Sequence, residues 1–240
     1  MYEKRTYRNL VKHPGLKKFN VVVRETDLQV QADQILYRET KNAVIKYRNI
    51  IERFIVRNPI FGHTLVPFEY HQEAPDIIQD MISSSSKSSV GPMACVAGVI
   101  SEYVAKELLK ISEQVVIENG GDIFMKINSP ATIGIFAGNS PLSMRIGIRL
   151  PSSRDPFSIC TSSGTIGHSL SFGRSDAVCV ISDSGALADA SATAIGNRVT
   201  TVDDIQQAID WGKRIKGVKG IVIIKDDKAG FWGDLEIVRL

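Results

Sequence analysis

The sequence predicts a two-layer α+β fold in which a largely antiparallel sheet packs against helices. Between residues 114 and 150, β-leaning runs follow one another with no helical pattern between them. A group of segments with apolar residues at helical spacing precedes this region, and a second group follows it. Because groups of strands and groups of helices alternate, rather than single strands and single helices, the pattern favours an α+β domain over a parallel βαβ sheet.

The composition is that of an ordinary globular protein. The 240 residues include 29 Lys and Arg against 26 Asp and Glu, a net charge of +3, and 43% of them are hydrophobic. This composition excludes an intrinsically disordered chain, and so small a charge gives no indication of a nucleic-acid partner. We expect a basic tail over residues 1–18 and a single domain over residues 19–240.

The cysteines and the hydropathy exclude further classes of protein. Cys95, Cys160 and Cys179 are odd in number and widely spaced, which argues against a disulfide scaffold and against a structural zinc site. No window approaches the roughly 20 apolar residues of a membrane span, and the N-terminus has no apolar leader segment. We therefore expect a soluble, cytoplasmic protein without a membrane partner.

The first third of the chain predicts a hairpin and two helices. Residues 19–25 and 28–31 are β-leaning runs separated at Thr26-Asp27, and residues 33–57 show apolar spacing typical of an amphipathic helix that stops at Asn58-Pro59. A second helix is predicted over residues 76–82. The serine-rich stretch 83–89 then favours a mobile loop, because Ser is common in loops.

The remainder predicts further helices and most of the sheet. Residues 93–109 are typical of a helix rich in small residues, which would allow close approach to a sheet. The other predicted helices cover residues 186–195 and 202–215. The predicted strands share β-branched composition and cover residues 114–118, 122–127, 131–136, 144–150, 177–181, 221–225 and 235–238.

The first group of residues that could carry chemistry is Glu118-Asn119-Gly120-Gly121-Asp122, between two apolar runs. Paired glycines permit positive φ, so either a tight hairpin turns here or a ligand approaches the backbone. Asn-Gly between apolar runs favours the hairpin. The two interpretations can coexist, since a turn at a sheet edge can present its amides and Asp122 to a ligand.

The second group lies in the alanine-rich segment 188–194, where Asp189 and Thr193 are four residues apart and project from one helix face. A carboxylate and a hydroxyl on an apolar face need a polar partner, and an oxygen-preferring ion such as Mg²⁺ would provide one. The alternative, at even weight, is that Asp189 caps the helix after Asp183-Ser184-Gly185.

The third group is the hydroxyl-rich segment 160–168, which includes Thr161, Ser162, Ser163 and His168. Such a loop can offer amides and hydroxyls to a phosphate, and His168 could act as a base or a donor. Taken alone, the segment favours an ordinary surface loop with an exposed histidine. The chain contains neither the phosphate-binding Gly-x-x-x-x-Gly-Lys-Ser/Thr motif nor Gly-x-Gly-x-x-Gly, which argues against nucleotide folds of those types.

In this order along the chain, the motifs resemble those of the ApbE-type FAD:protein FMN transferases. The resemblance covers roughly residues 85–200, and its most specific parts are the Gly-Gly-Asp turn and the Ala-Asp-x-x-x-Thr-Ala helix. The segments that carry it are Gly91-Pro92-Met93-Ala94, Glu118-Asn119-Gly120-Gly121-Asp122, Thr161-Ser162-Ser163 with His168, and Ala188-Asp189-Ala190-Ser191-Ala192-Thr193-Ala194.

The resemblance implies a T-fold-like domain that binds FAD, splits its pyrophosphate with Mg²⁺ and transfers FMN to a threonine of an acceptor protein, with AMP as the leaving product. It implies that Asp189 and Thr193 bind the metal, together with a backbone carbonyl in segment 91–95. His168 would occupy the position of a proposed catalytic histidine. The residues implied to lie at the flavin nucleotide are Gly120, Gly121, Asp122, Thr161, Ser162 and Ser163.

The chain also departs from the family pattern. Cys95-Val96 replaces a Lys-Gly pair, Ile100 replaces an aspartate, and Ser171-Phe172-Gly173-Arg174 replaces Asp-Pro-x-Thr-Gly. No counterpart of the family's N-terminal Ser-Glu flavin contact is present. Three hypotheses therefore stay open. The first is a Mg²⁺-dependent flavin nucleotide transferase or FAD pyrophosphatase, and the second is a non-catalytic flavin or nucleotide binder or assembly factor on the same scaffold. The third is that the motifs are purely structural and the protein binds something unrelated.

Overall fold

The structure is a computed structural model that describes residues 15–69, 73–152, 155–165 and 171–240. Most of the predicted basic tail lies outside the described residues, although Lys17 and Lys18 already belong to the first strand. The helices are α1 (Tyr37–Arg57), α2 (Asp76–Ser88), α3 (Val96–Leu108), α4 (Gly185–Gly196) and α5 (Asp204–Gly212). The strands are β1 (Lys17–Val23), β2 (Thr26–Ala32), β3 (Val115–Asn119), β4 (Asp122–Lys126), β5 (Ala131–Gly134), β6 (Ile146–Leu150), β7 (Phe157–Ser162), β8 (Ala177–Ser182), β9 (Val218–Lys225), β10 (Lys228–Gly233) and β11 (Glu236–Arg239).

The described strands form two sheets. Eight of them make one antiparallel sheet in the order β1-β2-β3-β4-β7-β8-β9-β10, and β11, β6 and β5 make a second. Helices cover one face of the large sheet, with α1 to α3 over β2 to β4 and α4 and α5 over β7 to β9. The small sheet covers the opposite face. The predicted α+β class, with a largely antiparallel sheet packed against helices, is confirmed, and the small sheet adds a layer that was not predicted.

The N-terminal hairpin and the first long helix are confirmed with shifted boundaries. Val23 pairs with Thr26, so the turn lies at Arg24-Glu25, two residues before the predicted break. Helix α1 ends at Arg57 as predicted but begins at Tyr37 rather than at residue 33. The Asp33 carboxylate instead accepts hydrogen bonds from the Ser112 hydroxyl (2.8 Å) and the Glu113 N–H (2.7 Å). Asp33 therefore fixes the loop that precedes β3.

The prediction of a loop over the serine-rich stretch is wrong, because α2 continues through it to Ser88. Ser84, Ser85 and Ser88 are buried. The Ser85 hydroxyl donates to the Ile82 carbonyl (3.1 Å), and Ser88 shares a hydrogen bond with Ser191 of α4 (3.0 Å). Small side chains let α2 pack closely on the alanine-rich α4, so these serines form a helix interface rather than a loop.

Two strands were not predicted, and one of them carries part of the third motif. Strand β7 covers Phe157–Ser162, so the loop predicted from Cys160 onward begins as a central strand between β4 and β8. Strand β10 was missed because its two glycines interrupt the apolar pattern. The other predicted elements match the described ones within a few residues. None of the described helices has both the length and the apolar character needed to cross a membrane.

Candidate functional site

Helices α3 and α4 cross at a very short distance in the centre of the molecule. A Cβ atom placed on Gly98 of α3 would lie 2.3 Å from the Gly185 carbonyl oxygen, and one placed on Gly185 of α4 would lie 2.4 Å from the Gly98 carbonyl oxygen. Only glycine permits so close an approach of two backbones. The small residues of α3 were predicted to allow close approach to a sheet, and Gly98 instead packs against another helix.

Asp189 lies at this crossing, one turn into α4. Its Oδ2 accepts a hydrogen bond from the Gly98 N–H at 2.9 Å. Helix α4 begins at Gly185, and Ser184 is its cap, with a side chain that accepts from the Leu187 N–H. The alternative that Asp189 caps its own helix is therefore wrong. Its carboxylate instead binds the first turn of the neighbouring helix, where backbone N–H groups lack intrahelical acceptors.

Glu102 makes the corresponding contact in the opposite direction, and the sequence analysis does not predict it as a site residue. This side chain of α3 is 4% exposed. Its Oε2 accepts hydrogen bonds from the Gly185 N–H (2.7 Å) and the Ser184 hydroxyl (3.2 Å) at the start of α4. A signal was present in the sequence, since Gly98 and Glu102 have the same four-residue spacing as Gly185 and Asp189.

The glycine turn between β3 and β4 lies beside the crossing. Asn119 pairs with Asp122 across a two-residue turn, and Gly120 and Gly121 have φ of +69° and +110°. The predicted hairpin is therefore confirmed. The Asn119 side-chain amide donates to the Ala97 carbonyl (3.1 Å), which ties the turn to the first turn of α3.

Asp122 faces the helices from the first position of β4. Its Oδ1 accepts a hydrogen bond from the Thr161 N–H of β7 (3.2 Å). Burial and the nearby Asp189 carboxylate raise the pKa of Asp122 well above its usual range. Burial also raises the pKa of Asp189 to about 7, although the N–H groups of Gly98 and Ala97 act in the opposite direction. Two buried carboxyl groups therefore share one region, and a cation would relieve the cost of ionising them.

Thr193 and Ser162 lie farther along the same helix and strand. Thr193 is 8% exposed on α4, one turn after Asp189, and within the described part of the chain its hydroxyl makes no hydrogen bond. The Ser162 Oγ would lie 3.9 Å from a Cβ placed on Gly196, so it is near the last turn of α4. Both hydroxyls are therefore on the helix-covered side of the sheet, as Asp122 and Asp189 are.

The remaining predicted site residues are not all brought together. The Thr161 hydroxyl donates to Cys179 on the opposite face of the sheet (3.2 Å), so only the Thr161 backbone is at Asp122. Ser163 follows β7 and shares a hydrogen bond with Thr165 (3.2 Å). His168 lies outside the described residues.

The cysteines are buried and have the environment of packed apolar groups. Cys95 donates to the Pro92 carbonyl (3.0 Å), and Cys160 lies between Ser158 and the Gly185 carbonyl. Burial raises the pKa of both thiols well above the usual range, and neighbouring carboxylates add to the effect. High thiol pKa values disfavour nucleophilic thiolates. The Cys95 thiol is fully buried and lies against the Met81 and Pro92 carbonyls.

Few charged side chains that could bind a metal ion lie beside Asp189 in the described part of the chain. Across the described ranges, no three His, Cys, Asp or Glu side chains are arranged to hold a metal ion. Asp189 and Thr193 offer one carboxylate and one hydroxyl, which suit a hard cation that keeps water and substrate oxygens among its ligands. These donors fit Mg²⁺ better than they fit zinc or another thiol-preferring metal.

Comparison with known proteins identifies the family. A family model described as AbpE bacteria matches residues 8–236. The chain belongs to this AbpE family. A UPF0280 protein of Methanocella arvoryzae is 40% identical over 219 residues, which cover 90% of this chain and 89% of that protein. A UPF0280 protein of Methanocaldococcus jannaschii is 36% identical over 229 residues, covering 92% and 93%. The resemblance to ApbE proteins inferred from the motifs is therefore confirmed for this AbpE chain.

Solved structures of other proteins share the fold of this AbpE chain. The apo form of the Pseudomonas stutzeri flavinyl transferase ApbE has a TM-score of 0.56 at 12% identity, with 95% of this chain and 94% of that chain covered. The ApbE protein of Thermotoga maritima has a TM-score of 0.57 at 12% identity, covering 90% and 96%. At this identity the likeness concerns the fold, which is that of the ApbE flavin transferases.

Proposed function

We propose that this protein is a divalent-cation-dependent enzyme that acts on FAD, either transferring FMN to a threonine of an acceptor protein or hydrolysing the pyrophosphate, and in both cases releasing AMP. The observation that carries the proposal is the buried Asp189 carboxylate. Within the described residues no lysine or arginine forms an ion pair with it, and the Thr193 hydroxyl lies one turn away. A buried carboxylate that lacks a cation is costly, and cation binding offsets that cost.

In this proposal Asp189 and Thr193 hold Mg²⁺, with a carbonyl from segment 91–95 as a further candidate ligand. The ion, when bound, would stabilise the charge that develops on the pyrophosphate oxygens. A hydrogen bond from the Gly98 N–H holds Oδ2 of Asp189, and in this proposal Oδ1 binds the cation.

The same proposal assigns roles to the strand ends. The positive-φ backbone of Gly120 and Gly121 has no side chains that would keep a nucleotide away, and Asp122 would bind its polar groups. Ser162 and Ser163 would donate hydroxyl hydrogen bonds to phosphate, and Thr161 would contribute through its backbone. His168 is retained as the candidate acid or base on sequence grounds.

The test is AMP release from FAD at saturating Mg²⁺, comparing the wild type with Asp189→Asn. The asparagine keeps an oxygen that can accept from Gly98 but removes the charge. We expect a loss of activity of at least about a hundredfold, the scale of removing an electrostatic contact made in the transition state. Asp183→Asn is the matched control, because Asp183 is exposed and pairs with Lys219 just before α4. Equal AMP release by the wild type and Asp189→Asn would contradict the proposal.

A second candidate function is flavin or nucleotide binding without turnover. The position of Cys95 favours it, because the resembled family has a lysine there and this thiol is 0% exposed and directed at backbone carbonyls. This candidate predicts that FAD raises the midpoint of thermal unfolding while no AMP forms. A measurable, Asp189-dependent rate of AMP release would exclude it.

A further inference from the structure

Two glycine and carboxylate pairs exchange contacts across the crossing of α3 and α4. In each helix the carboxylate lies four residues after the glycine, as in Gly98 and Glu102, and in Gly185 and Asp189. Each carboxylate accepts from the backbone N–H of the glycine in the other helix, at 2.7 Å for Glu102 and 2.9 Å for Asp189. The crossing is therefore locally self-complementary.

The two carboxylates differ in the cation available to them. The second oxygen of Glu102 accepts from the Lys106 ammonium at 2.6 Å, and the side chain of Lys106 is half-exposed. Asp189 has no such partner within the described ranges. Glu102 is thus held by a helix N-terminus on one side and a cation on the other, and Asp189 is held by a helix N-terminus alone.

Glu102 also determines where the first turn of α4 lies. Its Oε2 accepts from the Gly185 N–H, from the Ser184 hydroxyl and, at 3.4 Å, from the Ala186 N–H. These groups immediately precede the turn that carries Asp189. Because α4 is buried along its whole length, a displacement of its first turn moves the Asp189 carboxylate relative to Gly98 and Asp122.

We propose that Glu102 is a positioning residue for the cation that Asp189 binds, acting through the first turn of α4. The inference rests on the proposed function, because it presumes a cation at Asp189. Groups that orient a metal ligand through hydrogen bonds influence affinity strongly although they never touch the metal. The effect comes from the geometry of the acceptor oxygen, and the charge of Glu102 is already balanced by Lys106.

The positioning role of Glu102 is tested by measuring Mn²⁺ binding directly, without any measurement of turnover. The electron paramagnetic resonance signal reports the concentration of the free ion. Glu102→Gln keeps an acceptor oxygen at the same reach and removes the charge, whereas Glu102→Asp keeps the charge and shortens the reach. We expect Glu102→Gln to bind Mn²⁺ within about threefold of the wild type, and Glu102→Asp and Glu102→Ala to bind about tenfold or more weakly, on the scale of lost ligand orientation.

A control separates positioning from general destabilisation. Asp33→Ala removes another carboxylate that accepts backbone N–H groups, but at the loop before β3 and away from α4. We expect it to lower the midpoint of thermal unfolding and leave the Mn²⁺ affinity unchanged. If Glu102→Ala does not fold, Glu102→Asp and Glu102→Gln carry the same comparison.

The outcomes distinguish this inference from the proposed function. The positioning role would be overturned if Glu102→Asp and Glu102→Ala bound Mn²⁺ as tightly as the wild type. It would also be overturned if Glu102→Gln weakened Mn²⁺ binding as much as Glu102→Ala does. Either result would leave the proposed function standing. Weakening by Asp33→Ala in proportion to its loss of stability would also overturn it. A wild type that binds no Mn²⁺, or binds it equally well as Asp189→Asn, would overturn the proposed function and this inference together.

Discussion

Gly98 and Gly185 bring the backbones of α3 and α4 into direct contact, and the contact is reciprocal. A Cβ atom on either residue would lie within 2.4 Å of the carbonyl oxygen of the other. A Cβ on Gly98 would also lie 2.7 Å from the Cβ of Asp189. The close crossing therefore supports both the stability of the helical layer and the position of Asp189.

Gly98→Ala is expected to destabilise the protein by about 2 to 3 kcal/mol, since overpacking a rigid contact forces the backbones apart. Urea unfolding measures the effect. Gly185→Ala is expected to cost a similar amount. The double variant should cost less than the sum, because the first methyl group already separates the helices. Additive costs would contradict the reciprocal contact.

The serine-rich half of α2 makes a second prediction. Ser88→Ala is expected to lower the free energy of unfolding by about 1 kcal/mol, because it leaves the buried Ser191 hydroxyl without its partner. Ser83→Ala is the matched control, since Ser83 is exposed on the same helix and alanine is the better helix former there. A loop over residues 83–89 would instead make both substitutions neutral.

The buried charge of Asp189 is expected to lower the thermal stability of the protein when no divalent cation is present. With a chelator present at pH 8, Asp189→Asn is expected to raise the midpoint of thermal unfolding, because the variant no longer buries the Asp189 charge without a cation. Added Mg²⁺ should then raise the midpoint of the wild type and leave that of Asp189→Asn unchanged. A wild type whose midpoint does not respond to Mg²⁺ would contradict the assignment of Asp189 as a ligand.

The surface carboxylate Glu107 is expected to contribute to the loss of folding stability in acid. Hydrogen bonds from Lys110, Lys46 and Tyr47 lower the pKa of Glu107 to about 2. Because the folded-state pKa lies below the unfolded-state value of 4.5, the stabilisation is present above pH 4.5 and is lost as the pH falls toward 2. After allowance for solvent screening, Glu107→Gln is expected to cost about 1 kcal/mol at pH 7 and nothing near pH 2. Urea unfolding across this range measures the difference, with Glu113→Gln as the exposed control.

Much of the fold could be predicted from periodicity and turn residues. The amphipathic pattern of α1 ended at Asn58-Pro59, and Gly120-Gly121 between apolar runs identified the hairpin, because these signals are local. The serine stretch was misassigned for the opposite reason. Ser has a weak local preference, and its helix is decided by tertiary packing on α4. Strand β7 was likewise hidden, because Ser158, Cys160 and Ser162 lack strong β propensity.

The candidate site was predicted in part. The helical spacing of Asp189 and Thr193 placed both on one face, and the Gly-Gly-Asp motif placed Asp122 at a turn. The role of Glu102 could not be read from its neighbours in sequence, because the groups that it contacts begin 82 residues later along the chain. The side of the sheet on which the Thr161 side chain lies could not be predicted either, because the sequence did not predict that β7 is a strand.

If Asp189 binds a divalent cation in an enzyme that acts on FAD, the cation and FAD should bind cooperatively, and a fluorescence titration of the protein with FAD measures this. Wild type and Asp189→Asn are titrated with and without Mg²⁺. We expect Mg²⁺ to tighten FAD binding to the wild type by about tenfold or more, a coupling of about 1.4 kcal/mol, and to leave FAD binding to Asp189→Asn unchanged. If FAD binds both proteins equally tightly whether or not Mg²⁺ is present, or binds neither protein, Asp189 does not hold a cation that acts with FAD.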